Sequence, residues 1–192
     1  HAYTNDAGPG AWPNWTLGSL ALQDALGEAI DIGQFATPQL LDIDADGLLD
    51  LVVGEKNGTF SLFLNCGTAT NAAWCLQSTP EFEENWGGIQ VNNALGINGY
   101  ATPCLYTTGD GIHIAAGNEL GEIQYFGILD PSNVLAPLPS TGPVWNATMR
   151  GLRSSGTLGD VNGDGLPEML VGIQNGGVRW FDGATVGMAH HP

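Results

Sequence analysis

Basic residues are nearly missing from this sequence. One lysine (Lys56) and three arginines (Arg150, Arg153, Arg179) stand against 20 acidic residues, giving a formal net charge of −16 over 192 residues. Such a surface repels phosphate backbones and anionic bilayers, which argues against nucleic-acid or membrane binding and makes cations the natural partners. Long apolar runs are missing too: nothing approaches the roughly 18 residues of a membrane-spanning helix. No cleavable leader is visible, although a mature or excised chain would carry none, and the chain starts at His1 and ends "AHHP". Helical periodicity is scarce. Short apolar runs punctuated by 29 glycines and 11 prolines predict an all-β fold of short strands and tight turns. The length suits one domain with a sizeable core.

Cysteine is also scarce, at three. Cys66 and Cys75 flank "GTATNAAW", which reads as a loop, so a local disulfide is expected; the alternative is two free thiols, as in a reducing compartment. Cys104 sits in the apolar "ATPCLY" and is expected to be a buried, unreactive thiol. Asn14, Asn57 and Asn146 each open an N-x-Thr glycosylation pattern. Together with the acidic surface, these features lean towards an extracellular or cell-surface setting.

The chain repeats itself. "ATPQLLDIDADGLLDLVVGEKNGTFSLFLN" from Ala36, "ATPCLYTTGDGIHIAAGNELGEIQYFG" from Ala101 and "SGTLGDVNGDGLPEMLVGIQNGGVRWFDG" from Ser155 align, with Pro38 matching Pro103 and Gly156. In each copy an apolar strand ends in glycine (Gly54, Gly117, Gly172), and a turn follows at Asn57-Gly58, Leu120-Gly121 or Asn175-Gly176. Asn-Gly predicts a type I′ hairpin turn, whereas Leu120 fits that geometry poorly. Each unit reads as strand, acidic loop, strand, glycine turn, strand. A fourth strand is marked by Trp74 and Trp145, and a similar stretch surrounds Trp15 ahead of the first unit. Small four-stranded units of this length look like propeller blades, which must stack because one unit cannot bury its face alone. The expected division within a single domain over 1–192 is 11–79, 80–148 and 149–192: an N-terminal strand with the first blade, a degenerate second blade, and a third.

Two of the three loops concentrate like charge. In the first, Asp42, Asp44, Asp46 and Asp50 fall at positions 1, 3, 5 and 9, with the Leu48 carbonyl at position 7 and Gly47 allowing a sharp bend. The third repeats the spacing with Asp160, Asn162, Asp164, Leu166 (carbonyl) and Glu168. Alternating oxygen donors around a bend suit a hard cation, held at about 2.3–2.6 Å, whose charge cancels the repulsion. Calcium fits an all-oxygen, flexible set; magnesium demands tighter octahedral geometry, and zinc would want His or Cys nearby. An EF-hand is excluded, because position 12 is Val53 or Val171 rather than Glu and strands follow. The middle loop, "TTGDGIHIA", keeps only Asp110 and Gly111 and is expected to bind no metal.

These loops, with "DLVVG", the Asn-Gly-Thr turn and "GDVNGDGLPEMLVG", resemble the FG-GAP/VCBS repeat family, whose calcium-loop blades also build integrin α-subunit propellers. The resemblance covers about residues 29–182. It implies a β-propeller, loop-bound Ca²⁺ at those two ligand sets, and an extracellular setting; it fixes neither ligand nor activity. Three blades make an arc, whereas propellers close with about 4–8. The Trp15 strand could complete the third unit, in the same chain or in a neighbour, giving head-to-tail rings or filaments. The alternative is a fragment of a larger propeller.

Catalysis is not expected. His1, His190 and His191 lie at the termini, and His113 alternates along a strand, as a packed or solvent-facing residue would. No nucleophile with a partnered base is visible. Trp12, Trp15, Trp74, Trp86, Trp145 and Trp180 could make a sugar-stacking platform but read better as blade core. Three readings result: an adhesion or protein/glycan-binding module, a self-assembling structural subunit, and an accessory domain of a secreted enzyme.

Overall fold

The structure, a computed structural model, describes residues 2–19, 21–76, 85–91, 98–138, 144–145 and 152–183. β1 (Ala2–Asn5) and β2 (Trp15–Ser19) pair as a two-stranded sheet. β3 (Thr37–Leu41), β4 (Asp50–Gly54), β5 (Phe60–Asn65) and β6 (Trp74–Leu76) then form a four-stranded antiparallel meander. β7 (Thr102–Thr108), β8 (Gly111–Gly117), β9 (Ile123–Leu129) and β10 (Val144–Trp145) repeat that order. β11 (Ser154–Gly159), β12 (Glu168–Ile173) and β13 (Val178–Phe181) make a three-stranded version. The fold is all-β; among the described residues the only helical pieces are short 3₁₀ turns at Trp86–Gly88 and Pro131–Asn133. None of these sheets closes into a barrel. β2 takes β1 as its partner and does not pair with β13. Asn146, one of the glycosylation patterns, lies outside the described residues; Asn14 and Asn57 are exposed.

The repeat register is kept at the strand-ending glycines, although the β8–β9 ladder shifts register between Ile114 and Ala115. Gly54 faces Phe60, Gly117 faces Ile123 and Gly172 faces Val178 across each second hairpin. The turn itself differs from expectation. Neither Asn57 nor Asn175 has positive φ, as type I′ would require; only the glycines do, at 91° for Gly58, 81° for Gly121 and 89° for Gly176. In all three, the glycine N–H donates to the carbonyl three residues back (Glu55, Asn118 or Ile173). This is a type I turn closed by a left-handed glycine, so only the glycine is constrained and Leu120 is tolerated beside it.

Successive units meet at a repeated seam. Thr37 Oγ1 donates to the Ala101 carbonyl at 2.7 Å, and Thr102 Oγ1 donates to the Ser154 carbonyl at 2.8 Å. Ala101 N donates to Glu55 O, and Ser154 N to Asn118 O. The glycine ending each second strand makes room for this approach: a Cβ on Gly54 would overlap the Ala101 carbonyl, and one on Gly117 the Ser154 carbonyl. The residue just before each seam is left-handed without being glycine: Phe35, Tyr100 and Arg153, with φ of 59°, 49° and 53°. Their side chains converge. The Phe35 and Tyr100 rings meet edge to face at 4.7 Å, and the Arg153 guanidinium lies 4.0 Å from the Tyr100 ring centre.

Alternation along the strands then gives each sheet two apolar faces. Val52, Phe60 and Leu62 of the first unit pack against Ile112, Ile114 and Phe126 of the second. The other face of the second unit, with Cys104, Ala115 and Ile123, packs against Met169 and Val171 of the third. Burial pushes the Cys104 thiol pKa up to about 12, in keeping with an unreactive thiol. Cys66 and Cys75 are disulfide-bonded, with Cα atoms 5.9 Å apart, and staple β5 to β6.

The tryptophans do not form the core as expected. Trp86 alone is buried among the described ones, donating from Nε1 to Val134 O at 2.7 Å. Trp12, Trp15 and Trp180 are more than half exposed. The sheets interlock through aliphatic and phenylalanine side chains at the register positions; Trp74 packs half-buried on Leu51, Val53 and Phe63, whereas Trp15 and Trp180 stay outside. The side chain of Trp145 lies outside the described set.

Gly54→Ala and Gly117→Ala are expected to cost about 2–4 kcal/mol each, because a methyl group must displace backbone rather than a flexible side chain. Gly172→Ala, where a Cβ meets only Ser155 O at 4.0 Å, is expected to change stability by less than about 0.5 kcal/mol. Urea unfolding of the three variants checks this ordering; equal losses at all three positions would contradict it.

Candidate metal centre

The first acidic loop connects β3 to β4, and its geometry follows from short-range bonds between carboxylates and backbone. Gly47 N donates to Asp42 Oδ2 at 3.0 Å, Asp46 N to Asp44 Oδ1 at 3.2 Å and Leu48 N to Asp46 Oδ1 at 2.7 Å. Left-handed Ala45 and Gly47 bend the chain around these oxygens. Asp50 is fully buried and anchors the loop: Oδ2 accepts from Ile43 N and Oδ1 from Asn65 N, both at 2.7 Å. It thereby ties the loop to the end of β5.

One oxygen from each of Asp42, Asp44 and Asp50 lies within 4.8 Å of the others. Asp42 Oδ1 is buried and has no hydrogen-bond partner among the described residues. A buried oxygen with no donor is costly in a cluster that already concentrates negative charge. Burial raises the Asp50 pKa; the backbone N–H groups of Asn65 and Ile43 oppose this, and Asp44 and Asp46 add to it. Asp46 is exposed and stands outside the close group. The donor set is all oxygen, concave and one partner short, which fits a hard divalent cation.

The third loop adopts the same path. Gly165 N donates to Asp160 Oδ2, Asp164 N to Asn162 Oδ1, Leu166 N to Asp164 Oδ1 and Val161 N to Glu168 Oε2, each matching a bond of the first loop. Two differences change its chemistry. Gly163 N donates to Asp160 Oδ1 at 2.7 Å, so both Asp160 oxygens are satisfied. Asn162 Nδ2 donates to Asp164 Oδ2 at 3.0 Å and to Glu168 Oε1 at 2.9 Å, placing an amide where repulsion would otherwise build up. A cation here requires Asn162 to turn its oxygen inward.

The middle loop solves the same problem a third way. Strand register places His113 opposite Tyr106, as Asp50 stands opposite Leu41 and Glu168 opposite Gly159. His113 therefore occupies the anchor position and is likewise buried. Its Nε2 lies 3.0 Å from Thr108 Oγ1 and 3.2 Å from Asp110 Oδ1, and its Nδ1 lies 2.9 Å from the Tyr125 hydroxyl. Bonds from Thr108 and then His113 lower the Asp110 pKa, and burial followed by the Asp110 charge pushes Tyr125 up to about 12. Alignment on the strand glycines, with a two-residue gap in the loop, is the signal in the sequence that reveals His113 as the anchor.

The Asp50 shift has a pH consequence. Its folded-state pKa is raised, so the folded chain takes up a proton more readily than the unfolded one. In metal-free protein, this carboxyl's contribution to stability rises as pH falls from the raised value to the ordinary aspartate value. A bound cation competes with that proton. The melting-temperature gain from added calcium, relative to metal-free protein, should therefore shrink as pH falls through the raised Asp50 value towards the ordinary aspartate value. A gain that stays constant would contradict cation binding at these carboxylates.

Among the described residues, no helix is long and apolar enough to cross a membrane. No family model, no curated protein and no solved structure matches the chain.

Proposed function

We propose that the chain is a calcium-binding, propeller-type module of the FG-GAP/VCBS kind that works outside the cell by binding protein or glycan, without catalysis. The observation that carries the calcium reading is the partnerless buried Oδ1 of Asp42 beside Asp44 and Asp50. The ion would be held by Asp42, Asp44, Asp50 and the Leu48 carbonyl, with Asp46 swinging in from its exposed position. It would supply positive charge that fixes the loop between β3 and β4. The loop of Asp160, Asn162, Asp164, Leu166 and Glu168 is a second, weaker site, since its own amide and backbone groups already satisfy it.

The propeller reading rests on successive meander sheets whose first strands lie side by side and whose seams repeat. The extracellular reading rests on the Cys66–Cys75 disulfide and the acidic surface. The non-catalytic reading rests on His113, whose ring nitrogens are both engaged in structural bonds.

Calcium at about 100 times its dissociation constant should stabilise the wild-type chain by about 2.7 kcal/mol. Asp42→Ala should lose most of that gain while unfolding normally without metal. Titration calorimetry with parallel melting curves reads both quantities. Equal calcium stabilisation of the variant and the wild type would refute the site.

A further inference from the structure

The seam that joins the first unit to the second, and the second to the third, is present again on the third unit and on the first as halves that have no partner among the described residues. On the third unit, Gly172 ends the strand as Gly54 and Gly117 do, but no neighbour approaches it. Ser155 replaces Thr37 and Thr102 and is exposed. Lys56 O and Glu119 O accept from the next unit's Tyr100 N and Arg153 N; the equivalent Gln174 O has no donor among the described residues. The apolar face behind this seam is bare. Phe60 and Ile123 are 0% exposed, whereas their equivalent Val178 is 70% exposed; Leu62 is 0% exposed, and its equivalent Trp180 51%.

The first unit carries the matching half. Ala36 is exposed where its equivalents Ala101 and Ser154 are buried, and the Phe35 and Ala36 N–H groups have no acceptor among the described residues. Leu40 is 51% exposed, but its equivalent Leu105 is 3% exposed against the unit before it. The Leu51, Val53 and Phe63 face of this unit is already covered by Ile30, Ile32 and Trp74, so what it offers is two backbone donors and the exposed Leu40, against the acceptor and the exposed Val178 and Trp180 on the third unit.

We propose that the Val178–Trp180 face of the third unit is an interface for the first unit of a second copy of this chain, docked through the same seam that the chain uses twice internally. The contact is sheet face on sheet face, and does not involve the hydrogen-bonding edge of β13. It is heterologous, so repetition gives a closed ring or an open filament. This inference goes beyond the calcium reading and does not depend on it.

The test is sedimentation of the full chain and two variants over a concentration series, in calcium and in chelator. Wild type should form concentration-dependent dimers and larger species. Gly172→Ala blocks the acceptor end at a place where the isolated chain has room for a methyl group, and Leu40→Lys puts charge on the donor end. Each should weaken self-association by about tenfold or more without changing the melting temperature of the monomer. An equimolar mixture of the two should recover a dimer, because each variant keeps the half that the other lacks, and that dimer should grow no further. A wild-type chain that stays monomeric at all concentrations would overturn the proposal, as would variants that associate like wild type or a mixture that does not pair. Calorimetry on the same samples keeps the two readings apart: association without calcium binding refutes only the metal site, and calcium binding without association refutes only the interface.

Discussion

The structure depends on one close approach, in which the backbone of each unit's lead strand comes against the glycine that ends the previous unit's second strand. A threonine hydroxyl and two backbone N–H groups hold that approach at each seam. It fixes how one sheet faces the next, and so which alternate residues are buried. Gln39 strengthens the first seam: its amide donates to Leu105 O and accepts from Leu105 N, at 2.9 and 3.0 Å. At the second seam Cys104 takes that position and lies against Gly156. An amide clamp and a sulfur packed on glycine thus serve the same geometric demand in successive units.

The first loop of every unit inherits its position from this stacking. The residue four before each strand-ending glycine is buried whatever its chemistry: Asp50, His113 or Glu168. A buried ionisable group needs partners, and the three units supply them differently. The middle unit encloses its histidine with Thr108, Asp110 and Tyr125. The third gives its glutamate an asparagine amide and a backbone N–H. The first leaves an aspartate oxygen with nothing. Two of the units thus have self-satisfied loops, and one lacks a positive charge.

Much of this was legible in the sequence because it is local. Strand order, the positions of the glycine turns and the Cys66–Cys75 pairing follow from spacing along the chain. The turn type was misread at Asn57 because Asn-Gly fits two hairpin geometries, and the choice between them depends on how many residues the ladder closes over. The anchor role of His113 was hidden by the shortened loop, which shifts the alignment by two positions. The tryptophans misled because their size argues for burial, whereas the register decides which positions face another sheet. The seam could not be read from any one unit, since its partners lie 64 residues apart at the first seam and 52 at the second.

Amide hydrogen exchange on the monomeric chain tests the central claim most directly, since it reads the seam bonds one residue at a time. The Tyr100, Ala101, Arg153 and Ser154 amides should be protected to nearly the global unfolding free energy. Phe35 and Ala36, at the equivalent positions of the first unit, should exchange freely. Exchange at Ala101 and Ser154 as fast as at Ala36 would mean that the units do not stack through this contact.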